Sequence, residues 1–143
     1  MLAGLGRRFG QMFADELVLV IPASLFIGFF DQIGGDFLGG LAGFVVVALY
    51  LFKFTSSANG QTLGNRVAAT RIRDASTGRM LSIKQSLQRT AIVMFYFVAT
   101  IALPHVLALA VVVLGVVDFL FPLFDARKRT LHDKIVGTIV VVA

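Results

Sequence analysis

Cysteine is absent from the chain, which removes disulfide frameworks, thiol nucleophiles and thiolate metal centres from consideration. Charge is scarce: Asp, Glu, Lys and Arg make up 15% of the residues, against roughly 25% in an average soluble domain. There are only 2 histidines, His105 and His132, and no H-x-x-x-H arrangement, so a histidine metal site is not expected. Gly60–Gly64 lacks the Lys and Ser/Thr order of a phosphate-binding loop. No nucleophile–base–orienter set and no cofactor motif occurs. The sequence therefore points away from an enzyme, with no catalytic residue, metal or cofactor expected.

What the chain has instead is apolar surface. Hydrophobic residues make up 57%, the mean hydropathy is +0.88, and these residues come in blocks rather than alternating with polar ones. One block is Leu17–Phe30 and a second runs from Phe37 to Phe52. A third, Thr90–Val117, holds no acidic or basic residue except His105 and continues apolar after Asp118 to Phe124. A membrane-spanning helix needs about 20 residues at 1.5 Å rise each, so the third block is too long for one crossing. Pro104-His105 divides it where a hairpin can turn. Its first arm gains length from Ser82-Ile-Lys-Gln85, which reads as a capping box. The expectation is an integral membrane protein crossing 4 times.

The basic residues orient those crossings. All 13 Lys and Arg fall before the first, between the second and third, or after the last. The other two connections are the acidic Asp31–Asp36 and the neutral Pro104 turn. The positive-inside rule then places both termini in the cytoplasm. The first helix is read as retained rather than cleaved, because Asp15 and Glu16 interrupt its lead-in and no small-x-small site follows. A kink is expected at Pro22. The fold class expected is a membrane all-α protein: a four-helix transmembrane bundle with a small cytoplasmic β-hairpin or sheet. It forms a single domain over residues 1–143, with helices about 5–30, 37–54, 83–103 and 106–124, a cytoplasmic loop over 55–82 and a C-terminal strand over 134–142. Within the loop, Ser56–Gly60 is turn-like and Thr70–Asp74 alternates like a strand. Ala75–Gly78 reads as the turn of a short hairpin, to which the C-terminal strand can add.

Several motifs, taken together, resemble the RDD family of small bacterial membrane proteins over nearly the whole chain. They are Arg8 with Asp15 seven residues on, Gly60-Gln-Thr-Leu-Gly64-x-Arg66, Arg71-Ile-Arg-Asp74 with Gly78, and Arg89 opening the third helix. The most specific stretch pairs Asp118 with Asp125 and closes on Arg129-Thr-Leu-His132-Asp133-Lys-Ile-Val-Gly137-Thr138. The family is named for one arginine and two aspartates, which the resemblance places at Arg8, Asp15 and Asp133. Asn65 departs from it, standing where the family commonly has Lys, and Glu16 beside Asp15 is a second unexpected feature. The resemblance implies the architecture more firmly than an activity, with transport the suggested one.

Arg8 and Asp15 are the sharpest candidates on their own chemistry. Their seven-residue spacing puts them on one helical stripe roughly 10 Å apart, too far to pair but able to face a common partner. An ionisable residue within a membrane helix is by default a functional hypothesis. The competing reading places Asp15 and Glu16 at headgroup depth, paired with basic neighbours. Asp118 lies among apolar neighbours, with Asp125 two turns on and Pro122 between. If Asp15 and Asp118 approach, they form an acidic pair sharing a proton or a cation; Arg8, Arg66 or Arg89 neutralising them is the preferred alternative. His132-Asp133 is expected to fix the terminal strand by hydrogen bonds to the loop carrying Gly60–Arg66, and His105 to be a solvated turn residue. Gly35, Gly39 and Gly43 line one face of the second helix, where small residues allow close helix packing.

Two functions survive these exclusions. One is movement of a small ion or solute, cation/proton exchange being the concrete version, across the bacterial cytoplasmic (inner) membrane. The other is a non-catalytic accessory or scaffold subunit of a larger membrane complex. The partners expected are the bilayer with its anionic headgroups and either further copies of the chain or a larger assembly. Nucleic acid is not among them, because membrane orientation already explains the basic loop.

Overall fold

The computed structural model describes residues 1–57 and 59–143, so residue 58 of the expected Ser56–Gly60 turn lies outside the described residues. The chain is mostly helical with one small antiparallel sheet. Its first element, α1 (Leu5–Thr55), follows from an apolar run whose only backbone interruption is at Gly34 (φ −139°, ψ 16°) and Gly35 (φ 70°, ψ −176°). The conformation at Gly35 is one that essentially only glycine adopts. The chain reverses there into two arms, residues 5–33 and 36–55. A side chain added at Gly43 would strike Ile27, and one at Gly39 would strike Asp31 and the carbonyl of Ile27. Gly39 and Gly43 therefore face the first arm, and the arms pack closely.

Three expectations change here. The acidic Asp31–Asp36 segment is not a six-residue loop, because helix continues through Ile33. Gly35 packs against nothing, having open space where its side chain would be; it supplies the turn. Pro22 sits inside the helix without non-helical backbone, so the break falls at the glycines rather than at the proline.

After α2 (Leu63–Val67) and β1 (Thr70–Asp74), helix α3 (Ile83–Ala102) opens on the expected capping box. Gln85 N–H donates to the Ser82 hydroxyl at 3.1 Å, and Ser82 N–H donates to Gln85 Oε1 at 3.0 Å. Pro104 starts α4 (His105–Leu120), and a 3-10 turn over Phe121–Leu123 ends it. The fourth helix thus stops short of residue 124, as Pro122 has no N–H to continue the α-helical ladder. By length and composition, α1 and His105–Leu123 are able to cross a membrane, and only 11% of the most apolar 18-residue stretch of each is buried within the chain. Large apolar side chains point outward along both, Phe37 and Val106 among the most exposed.

The expected hairpin partner of β1 is replaced. Asp74 Oδ1 accepts from Ser76 and Thr77, Gly78 takes φ 68°, and two backbone bonds close the turn, Gly78 N–H to the Asp74 carbonyl and Asp74 N–H to the Arg79 carbonyl. The chain then enters the Ser82 capping box instead of a returning strand. The edge of β1 is filled by β2 (Thr138–Val142), antiparallel, with Thr70 opposite Val142 and Asp74 opposite Thr138. The other edge of β2 takes the N-terminus: Leu2 bridges Val141 and Ala3 N–H donates to the Val140 carbonyl at 3.1 Å. Ala3, Ile72, Leu81 and Val140 form the small buried core beneath. The expected strand over residues 134–142 starts late. Thr130 and Asp133 form a capping box that makes Leu131–Val136 a short helix, α5, which Gly137 ends in the left-handed conformation.

Candidate functional site: a buried charge network beside a cavity

Asp133 is the centre of the network. The α5 capping box fixes its carboxylate with no exposure. Oδ2 accepts from Arg8 Nη1 at 2.8 Å and from Thr130 N–H at 3.3 Å. Oδ1 accepts from Arg89 Nη1 and from the Thr138 hydroxyl at 2.8 Å. Arg8 also donates to the Lys128 carbonyl at 2.6 Å. The first helix, the third helix, the α5 turn and β2 thus converge on one carboxylate. Burial opposes ionisation of Asp133, but Arg89, His132 and Arg8 outweigh it and hold the carboxyl well below its usual range.

His132 turns the other way. Its backbone N–H donates to Asp118 Oδ1 at 2.9 Å, and Nδ1 lies 2.6 Å from Asp118 Oδ2. An ionised carboxylate only accepts, so Nδ1 carries a proton toward Asp118, while Nε2 lies 3.2 Å from the Thr130 hydroxyl. Asp118 is therefore met by histidine and not by Arg8, Arg66 or Arg89. The expected bonds from His132-Asp133 to the Gly60–Arg66 loop do not form; these residues tie the terminal strand to α1, α3 and α4.

Asp15 receives that loop instead. The Tyr50 hydroxyl donates to Oδ1 at 2.5 Å, the Gly64 N–H to Oδ1 at 2.7 Å and the Thr62 hydroxyl to Oδ2 at 2.7 Å. Gly64 is required by this approach, since a side chain there would collide with the Gln11 carbonyl and Asp15 itself. Asn65, the departure from the family pattern, is fully buried: its amide donates to Thr62 at 2.9 Å and its Oδ1 accepts from Thr70 at 2.8 Å. Arg8 and Asp15 share a helical stripe but not a partner.

The remaining candidates are dispersed. Glu16 is exposed at the mouth of the cavity described below. Arg66 is exposed, 5.9 Å from the Phe54 ring. Asp125 forms a local pair with Arg129, whose Nε and Nη2 both donate at 3.1 Å, and this holds the carboxyl down at about 2. Tyr50, Thr62, Thr130 and Thr138 carry bonds as short as those of the charged residues, yet nothing in their spacing marks them. The available signals are that Thr62, Thr130 and Thr138 stand inside the motif stretches and that Tyr50 is a tyrosine in the last turns of an otherwise apolar arm.

Both arms of α1, with α3 and α4, surround a cavity of about 750 Å³. Arg8, Asp15, Arg89, Asp118 and His132 line its polar end; Leu19, Val47, Val93, Phe97 and Val111 line its apolar length. Asp15 and Asp118 reach this space from different helices, each bonded to its own partners, so neither the acidic pair nor the preferred arginine partners account for them. Among the described residues, no group of three or more His, Asp or Glu is placed to hold a metal ion.

The RDD family model matches residues 2–137. The chain belongs to the RDD family, and with its apolar helices it is a membrane protein. No curated protein matches it, and no solved structure does.

Proposed function

We propose that this protein moves a small ion or solute across the bacterial inner membrane, with cation/proton exchange as the concrete chemistry. In this reading both arms of α1, with α3 and α4, cross the bilayer as a four-helix bundle. The sheet and both termini face the cytoplasm, where the basic residues outside the crossings meet anionic headgroups. The chain acts without catalytic residues or a cofactor, binds no nucleic acid and works as a homo-oligomer or within a larger membrane assembly.

The observation that carries this reading is the cavity of about 750 Å³ with Asp15, Asp118 and His132 at its polar end. Ionisable groups at such depth in apolar helices are costly and usually mark a path for ions or protons. The test is cation and proton flux in liposomes holding the purified protein, for wild type, Asp15→Asn and Asp118→Asn. Flux in the wild type and its loss in both variants, with insertion intact, supports transport; absence of flux in the wild type ends the reading.

A second reading has its own support. The carboxylates of Asp15, Asp118 and Asp133 are all engaged within the chain, which is what a structural charge network requires. An accessory or scaffold subunit of a larger complex fits that. It predicts that purification in mild detergent brings a partner protein along, and that surface changes on the second arm of α1 release it.

A further inference from the structure

We infer that the cavity selects a bulky lipophilic organic cation without N–H donors, such as a quaternary ammonium or phosphonium, in preference to a hydrated inorganic ion. The inference deepens the transport reading and rests on it for its biological sense, though binding can be measured alone. Size comes first: about 750 Å³ lies within the roughly 300–1,000 Å³ of sites for drug-sized molecules, far more than a bare ion needs. The lining is the second observation, with most of its length apolar and only one end polar. The sign of that end is the third. Asp15, Glu16 and Asp118 face the space, opposed by Arg8 and Arg89, whose charge Asp133 already shares from behind, and by His132 on Asp118, which leaves the carboxylates in excess even with His132 protonated.

The fourth observation decides between kinds of cation. Asp15 already accepts from Tyr50, Thr62 and Gly64, and Asp118 from the N–H and Nδ1 of His132. A sodium ion or a primary ammonium needs direct oxygen contacts, and these two carboxylates have most of their lone pairs already engaged, which leaves Glu16 at the mouth as the more open partner. A cation with its charge buried among carbons needs only their field. Tyr96, Phe97 and Phe119 line the same space and supply the aromatic rings such cations favour. Met12, Phe97 and Val112 line the cavity yet stay 45%, 50% and 46% exposed, so it opens sideways between helices, the direction from which a lipid-dissolved ligand arrives.

The test is equilibrium dialysis of labelled tetraphenylphosphonium against the full chain in nanodiscs, with empty nanodiscs subtracting lipid uptake. Tetraphenylborate, the same shape with opposite charge, is the control. Saturable uptake of the phosphonium alone is expected, with affinity falling about tenfold in Glu16→Gln or Asp118→Asn, the scale of one partly screened unit charge. Gly115→Leu should weaken binding by narrowing the space, since Gly115 lines the cavity and nothing lies within 4 Å of a Cβ added there. Equal uptake of both ions, no saturable uptake, or full binding by Gly115→Leu overturns the inference. Sodium/proton flux in liposomes without phosphonium binding sinks this inference and leaves transport standing; binding without any flux does the reverse.

Discussion

Arg8 and Asp133 lie 125 positions apart and meet at 2.8 Å, both essentially buried. With Arg89 on the other carboxylate oxygen, the first helix, the third helix and the C-terminal turn are bound at one point. Pairs of this kind rarely add net stability over an apolar replacement, but they fix which elements meet. Here the arrangement draws β2 under α3, because Thr138 shares both Arg89 and Asp133.

Removal of the carboxylate alone should therefore be severe. Asp133→Ala leaves two guanidinium groups buried without their counter-charge, a loss of about 3–5 kcal/mol. Thermal unfolding of the detergent-solubilised protein measures it. Arg8→Lys should also weaken the protein, since an ammonium cannot hold both Asp133 and the Lys128 carbonyl in the fork geometry of arginine. Wild-type stability in Asp133→Ala contradicts the central role assigned to this residue.

The pH dependence follows from the same group. Asp133 and Asp125 both have folded-state pKa values below the ordinary carboxylate range, Asp125 at about 2. Depressed carboxyls stabilise the fold above their unfolded value of about 3.9 and lose that contribution as pH falls through the folded one. Stability from these two groups should thus be level between pH 7 and 5 and decline below about 4. In Asp125→Asn the decline between pH 4 and 2 should be shallower, as followed by the unfolding midpoint across a pH series.

The parts of this arrangement open to sequence reading were those set by local pattern. The Ser82–Gln85 box fixed the start of α3, and apolar blocks marked the helices, because capping and hydropathy depend on neighbours in the chain. Arg8, Arg89, Asp118 and Asp133 stood out as charges in apolar or motif surroundings. Which charge met which was not legible. Asp118 found His132 rather than an arginine because α5 forms and presents that side chain, and α5 itself lay within an expected strand. The β-branched run Thr138–Val142 read correctly as strand, but Thr130 and Asp133 pulled Lys134–Val136 into helix. The hairpin failed for a comparable reason: strand propensity at Thr70–Asp74 says nothing of which edge supplies the partner.

Two glycines test the packing in opposite directions. Gly64→Ala drives a methyl group into the Gln11 carbonyl and Asp15, so a loss of about 1–3 kcal/mol is expected. Gly115→Ala meets nothing within 4 Å and should leave the protein unchanged or up to about 1 kcal/mol more stable, from helix propensity alone. Paired unfolding curves compare them directly; equal effects contradict the close approach of the 60–66 loop to the first helix.

Tyr50 offers the sharpest test of how that loop is held. Its hydroxyl donates to Asp15 and accepts the Leu63 N–H at 3.0 Å, joining the second arm of α1, the first arm and the start of α2 through one atom. Tyr50→Phe keeps the ring, which packs 4.9 Å from Phe54, and deletes only the oxygen. The Leu63 N–H then has no partner, and Asp15 keeps Thr62 and Gly64 but loses its shortest bond. A destabilisation of about 1–3 kcal/mol is expected, concentrated locally. Hydrogen exchange should accelerate at residues 62–66 while β1 and β2 keep their protection, since Asp133, not Asp15, binds the sheet to the helices. Uniform acceleration across loop and sheet would mean that the two carboxylates act as one cooperative unit, contrary to the separate bonding seen here.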